Sequence, residues 1–211
     1  DVEGMVGVRA DGDRLTIGGA TTHAEVAAAT AGLFPGLSGL AGNIGDPAVR
    51  NRGTIGGSLA NNDPAACYPA GALGSGATIT TNKRDITADD YFQGMFETAL
   101  DEGEIITSVS FPIPEKANYQ KFEQPASRFA RVGVFLVKTA GGVRVAVTGA
   151  SEEGVFRWTE AETALNGDFS ENAIAGMSGN ADSMISDLHG TAAYRAHLVG
   201  VLTRRAVAAC G

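Results

Sequence analysis

A threonine, two consecutive glycines and a serine stand almost in a row at Thr54-Ile55-Gly56-Gly57-Ser58, with Asn61, Asn62 and Asp63 close behind. A hydroxyl at each end and a Gly-Gly pair able to take positive φ would let consecutive main-chain N–H groups converge on an anion. A diphosphate is the natural guest of such a nest. A Gly-Gly turn between two strands uses the same residues, so local chemistry leaves both readings open.

Other reactive arrangements are missing from the sequence. There is no G-x-G-x-x-G, no G-x-x-x-x-G-K-[ST], no G-x-S-x-G and no H-E-x-x-H. His23, His189 and His197 fall in capping or helical contexts, at spacings that suggest no metal site, and read as solvated or helix-terminal. Cys67 and Cys210 are too few for a four-thiolate iron–sulfur cluster and read as two free thiols of a reducing compartment. No set of general acid, base and nucleophile emerges, so no catalytic residue is assigned.

The elements that must position the nest can be read around it. Leu15 and Ile17 alternate as in a strand, and Thr22 with Glu25 has capping-box spacing for a helix running to about Thr30 and ended by Gly32. Residues 32–57 hold eight glycines and two prolines, a composition that favours turns over regular elements. "PAACYPAGALGSG" reads as a short apolar helix or turn and "ATITT" as a strand. Thr87 is an N-cap with Asp89 and Asp90 in the first turn that follows, and "EIITSVSFPIP" is a strand stopped by Pro112 and Pro114.

Those prolines and the polar "EKAN" set a domain boundary, giving 1–114 and 115–211. In the second part "VGVFLVK" and "VRVAVTGA" flank a hairpin turn, "VFRWTEAE" supplies a third strand or leads into the next helix, and "TEAETALNG" and "SENAIAGMSG" predict short helices. A longer helix near the end carries Tyr194, Leu198, Val201 and Leu202 on one face. The class is α+β: a mixed or antiparallel sheet with helices, then a smaller antiparallel sheet of about three strands packed on helices.

The 211 residues are 44% hydrophobic, enough for a real core, and carry a net charge of −8, which argues against nucleic acid or an anionic membrane as partner. No apolar run approaches the roughly 20 residues of a membrane span, and no signal peptide is recognisable, so the expected location is the cytoplasm. The chain opens at Asp1 already in strand-like pattern and without an initiator methionine, which reads as a fragment.

The longer string "RNRGTIGGSLANNDPAACYPA" resembles the second flavin motif of the FAD-carrying medium subunit of molybdenum hydroxylases. That family includes aerobic carbon monoxide dehydrogenase and xanthine dehydrogenase. "TIGGATTHAEVA", "GEIITSVSFP", "YQKFEQPASRFARVGV" and "YRAHLVGVLTRRA" extend the likeness over nearly the whole chain, most strongly to the carbon monoxide dehydrogenase-like branch. The resemblance implies that residues 1–114 are a truncated FAD-binding domain, lacking the first flavin motif that precedes this stretch in the family.

It also implies roles. Thr54, Ile55, Gly56, Gly57 and Ser58 would hold the FAD diphosphate, and Asn62 and Asp63 would reach the ribose or the flavin side. Ile106 would pack near the isoalloxazine, and Lys121 would lie near its polar edge, where a cation stabilises the reduced anionic ring. Cys67 stands where many relatives have an aspartate. The implied function is electron relay: from a molybdenum centre in a large subunit, through iron–sulfur clusters in a small subunit, to FAD and on to a quinone or other acceptor. The implied setting is a heterotrimer, with peripheral contact to a quinone-reducing membrane partner. A structural or assembly module that has lost FAD stays open as a second reading, whereas a flavoprotein of the same broad fold that reduces a sugar-nucleotide enol ether would need its own catalytic acid and substrate loop, which the sequence does not offer.

Overall fold

The computed structural model describes residues 4–210. The opening strand-like pattern is realised from Val8; its first residues, Asp1 to Glu3, lie outside the described ones. β1 (Val8–Asp11) turns back into β2 (Arg14–Gly18), where Leu15 and Ile17 both point into the core, as the period of two requires. α1 (His23–Thr30) begins on the expected capping box: the Thr22 hydroxyl accepts from the Glu25 N–H, and the Glu25 carboxylate accepts from the Thr22 N–H.

Residues 32–57 depart from their composition. They form α2 (Pro35–Gly42), α3 (Pro47–Arg50) and the start of α4 (Ile55–Asn61). Proline in the first turn of α2 and α3 sacrifices no intrahelical bond, and burial of Leu37, Leu40 and Ala41 outweighs the weak helix propensity of glycine. α5 (Tyr68–Ser75) is buried throughout and leads into β3 (Thr78–Thr81) and β4 (Asp85–Thr87). Thr87 caps α6 (Ala88–Tyr91), a single turn that gives way to the hairpin of β5 (Phe92–Gly94) and β6 (Glu97–Thr98) and then to β7 (Ile106–Pro112). The first sheet is antiparallel, in the order β1-β2-β7-β3-β4, with Val109 of β7 opposite Ile17 on one side and Ile79 on the other.

The second sheet has four strands where about three were expected. β8 (Lys116–Glu123), β9 (Ala130–Thr139), β10 (Gly142–Ser151) and β11 (Gly154–Arg157) lie in the antiparallel order β11-β10-β9-β8, the extra strand being "KANYQKFE". The stretch "VFRWTEAE" supplies both β11 and the start of α7 (Thr159–Gly167). "SENAIAGMSG" yields only a 3-10 turn at Asn172–Ile174. α8 (Ala192–Ala209) buries Leu198 and Leu202 as predicted, together with Arg195, Val199, Thr203 and Ala206, but Tyr194 is exposed and Val201 only half-buried.

This second sheet is covered on both faces. Val132, Val134, Leu136, Val145 and Val147 pack with α7 and α8, while Phe135, Val137 and Ala146 point the other way and join the core of the first sheet beneath α5. Burial on both sides explains the near-continuous apolar run of β9, which a strand with one wet face would not carry.

Candidate functional site

Thr54 is the N-cap of α4, its hydroxyl accepting from the Gly57 N–H at 3.1 Å and its carbonyl from the Ser58 N–H at 3.0 Å. The Ile55 N–H donates to the Thr21 carbonyl at 3.1 Å and the Gly56 N–H to the Gly19 carbonyl at 2.8 Å. The open positive-φ nest expected from Gly56-Gly57 is therefore corrected. Both glycines are helical, and the four amides are bonded within the protein. Glycine is needed at 56 for another reason: a β-carbon there would stand 2.6 Å from the Gly19 carbonyl oxygen. What the motif still offers outward is the Ser58 hydroxyl, which has no hydrogen-bond partner among the described residues, the Thr54 hydroxyl proton, and the exposed Gly57.

α4 runs along a cleft of about 250 Å³ whose walls include Ile44, Val49, Ser58, Asp63, Cys67 and Phe129. Lys121 braces this cleft. Its side chain has no exposed surface, and its Nζ donates to the carbonyls of Asn43 and, at 2.8 Å, Arg128. Asn43 adjoins Ile44 on one wall, and Arg128, itself a lining residue with φ +61°, adjoins Phe129 on the other. The nearest carboxylate, that of Glu123, is 3.9 Å away and half-exposed. Burial pushes the Cys67 thiol up, the Lys121 charge only partly opposing it, so this lining residue is neutral at ordinary pH.

The remaining sequence-selected residues divide. Asp63 lines the cleft and accepts the Ala65 N–H at 2.8 Å, so it is both wall and turn. Asn62 turns away from it. In left-handed conformation (φ +43°) it ends α4, and its amide donates to the Gly94 and Glu97 carbonyls at 2.7 and 2.9 Å. Ile106 sits in the core at the start of β7, the strand on which α4 packs.

Sequence reasoning missed Ile44, Val49 and the Arg128-Phe129 wall, which only tertiary structure brings to α4. It also missed His23, expected solvated or helix-terminal. His23 does begin α1, but it is buried against Tyr68 (ring centroids 5.3 Å apart), its Nδ1 unpaired and its pKa pushed down to about 4 by burial. Its main-chain N–H donates to the Gly53 carbonyl at 3.0 Å, immediately before Thr54.

Residues 1–114 match the family described as FAD binding domain in molybdopterin dehydrogenase. The chain belongs to this family. It is 34% identical to the nicotine 6-hydroxylase medium subunit of Paenarthrobacter nicotinovorans over 100% of this chain and 80% of that one. Against the carbon monoxide dehydrogenase medium chain of Afipia carboxidovorans it is 31% identical, over 98% and 78%. Its fold superposes on a chain of carbon monoxide dehydrogenase from Oligotropha carboxidovorans with a TM-score of 0.87, at 28% identity, covering 99% of this chain and 79% of the other. The relatives are dehydrogenase and hydroxylase subunits, and this chain is an oxidoreductase subunit of the same FAD-binding family, with the expected α+β fold.

The residues present fit the cofactor of that family. The cleft is largely apolar, as a flavin ring requires, with one buried cation at its side and an unpaired hydroxyl on the helix beside it. Among the described residues no group of three His, Cys, Asp or Glu is placed to hold a metal, and no helix is long and apolar enough to cross a membrane.

Proposed function

We propose that this chain is the flavin-carrying relay subunit of a cytoplasmic molybdenum hydroxylase. Residues 1–114 form its FAD-binding domain and 115–211 a second domain that closes the cleft with Lys121 and Phe129. The observation that carries the reading is the buried Lys121 ammonium, bonded to Asn43 and Arg128 at the walls of a cleft that Ser58, the last residue of the motif, lines.

In this reading the Thr54 and Ser58 hydroxyls receive the diphosphate, the side-chain-free and exposed Gly57 leaves it room, and Gly56 lets α4 seat closely enough to present them. Asp63 and Cys67 flank the ring side. Ile106 backs α4 from β7, and Asn62 holds the helix end. FAD, when bound, accepts and passes on electrons one or two at a time. The residues' part is to orient the ring, keep water from it and, through Lys121, favour negative charge on it. Electrons arrive from an iron–sulfur small subunit served by a molybdenum large subunit and leave to a quinone or other acceptor, with peripheral membrane contact where that acceptor is membrane-held.

The bonded amides of Ile55 and Gly56 favour a second reading, an assembly module that keeps the fold without FAD. Absorption spectra of the purified chain with and without added FAD separate the two, using Gly57→Asp as control. Position 57 is in the first turn of α4, where a carboxylate suits the helix dipole, so the variant should fold while repelling phosphate. Flavin bands in the wild type that vanish in Gly57→Asp, with unchanged circular dichroism, support the proposal. A wild-type chain that stays colourless in added FAD leaves only the assembly reading.

A further inference from the structure

The β5–β6 hairpin carries a feature that the cleft does not use. Met95 and Phe96 form its two-residue turn and are exposed by 38% and 59%. Phe96 has φ +60°, at the second central position of the turn, where glycine or asparagine is the usual occupant. A bulky aromatic there costs backbone strain and buries little of itself, so folding of this chain gains almost nothing from it.

The base of the hairpin is tied down by hydrogen bonds. The Asn62 amide holds the carbonyls of Gly94 and Glu97, and the Phe96 N–H donates to the Asn62 carbonyl at 3.0 Å. The β10–β11 turn abuts it, Gly154 packing against the main chain of Gly94 and Met95. The hairpin and the turn that abuts it carry exposed Glu97, Glu152 and Glu153, and neither contains a lysine or arginine.

We infer that Met95-Phe96 is a docking knob for another subunit of the same assembly. The partner surface it fits is an apolar pocket edged by lysines or arginines. An apolar centre within a charged rim is the anatomy of a specific protein interface, and a preformed, clamped tip binds with little ordering cost. The acidic rim selects a basic partner surface and disfavours a second copy of this acidic chain. The inference rests on the subunit reading above. Because Asn62 joins the hairpin to the end of α4, the docked subunit lies beside the proposed cofactor helix.

The test co-expresses the chain with the iron–sulfur and molybdenum subunits and compares wild type with Phe96→Gly, which removes the knob and relieves the backbone. Assembly weakened by about thirtyfold or more, the loss of an interface anchor, with flavin content unchanged and thermal stability of the isolated chain unchanged or raised, is the expected result. A Glu152→Lys/Glu153→Lys variant should assemble more slowly and lose the salt sensitivity of the wild type. Equal assembly by Phe96→Gly overturns the inference, as does a wild-type chain that self-associates through Phe96. A chain that holds flavin but joins no partner overturns it without touching the flavin proposal. A colourless chain that still assembles through Phe96 keeps the knob and removes the flavin.

Discussion

The Lys121 ammonium donates to the carbonyl of Arg128 at 2.8 Å while its own side chain is wholly buried. A second bond, to Asn43, reaches across to the opposite wall of the cleft, so one cation joins two segments that no secondary structure connects. Main-chain carbonyls rather than a close carboxylate satisfy this charge.

Lys121→Met should therefore loosen both walls at once. Hydrogen bonds to a buried charged group are worth about 1.5–3 kcal/mol each, but repacking by methionine recovers part of that, so the expected loss is roughly 2–3 kcal/mol. For a chain of this length that is a drop in Tm of about 4–12 °C. Calorimetry checks the stability, and a flavin titration should show weaker uptake beyond what the fall in Tm explains.

Little of that brace was legible in the sequence. Lys121 reads as one alternating residue of a strand, and its partners lie 78 and 7 positions away. The readable features were those with local causes: the Thr22–Glu25 capping box, the alternation of Leu15 and Ile17, the hairpin of β9 and β10. Where composition misled, tertiary burial had overridden propensity. Glycine and proline promised turns through 32–57, yet Leu37 and Leu40 found a core that stabilises α2. The phase of α8 slipped because Tyr194 meets Phe122 edge-on at the surface, 6.0 Å between centroids, while Arg195 turns inward to the carbonyls of Arg131 and Gly149. The family was readable because the motif string extended well beyond its glycines.

Gly56→Ala tests the corrected geometry of the motif. Its methyl group would press on the Gly19 carbonyl oxygen, a main-chain atom that cannot swing aside, so α4 must lift from the β2–α1 connection. A cost of about 1–3 kcal/mol is expected. Thr54→Ala, which removes only the cap on Gly57, should cost about 1 kcal/mol, and Thr54→Ser almost nothing. If Gly56→Ala proves as mild as Thr54→Ser in urea unfolding, α4 is not seated as described.

Glu162 should be among the least replaceable surface-proximal acids. Its Oε1 accepts both the Val145 N–H and Arg157 Nε at 2.9 Å, its other oxygen pairs with Arg157 Nη2, and only 7% of its side chain is exposed. Arg157 and Arg144 meet again at Asp89 of α6, tying the second sheet to the first half of the chain. Glu162→Leu strands the Val145 N–H and leaves Arg157 with Asp89 alone, an expected loss of about 2–4 kcal/mol. Glu162→Gln keeps an acceptor for Val145 and should lose about half as much. Chemical denaturation of the two variants side by side gives the comparison.

Acid should act on the motif through His23. Because burial holds its pKa near 4, below the ordinary 6.5, the unfolded chain binds the proton first as pH falls. The folded state is thus fully favoured above about pH 6.5, loses stability between 6.5 and 4, and levels off below 4 as far as this group is concerned, with a total of no more than about 3 kcal/mol. His23→Leu, which removes both the unpaired Nδ1 and the titration, should flatten the Tm profile over that interval. The same side chain lies against Gly53, where a β-carbon would stand 2.5 Å from Nε2, and Gly53 leads directly into the Thr54 cap. Charging the ring should therefore loosen the start of α4 before the whole fold gives way. A wild-type Tm that is flat from pH 7 to 4.5 would mean that His23 is solvated in solution and has no hold on the motif.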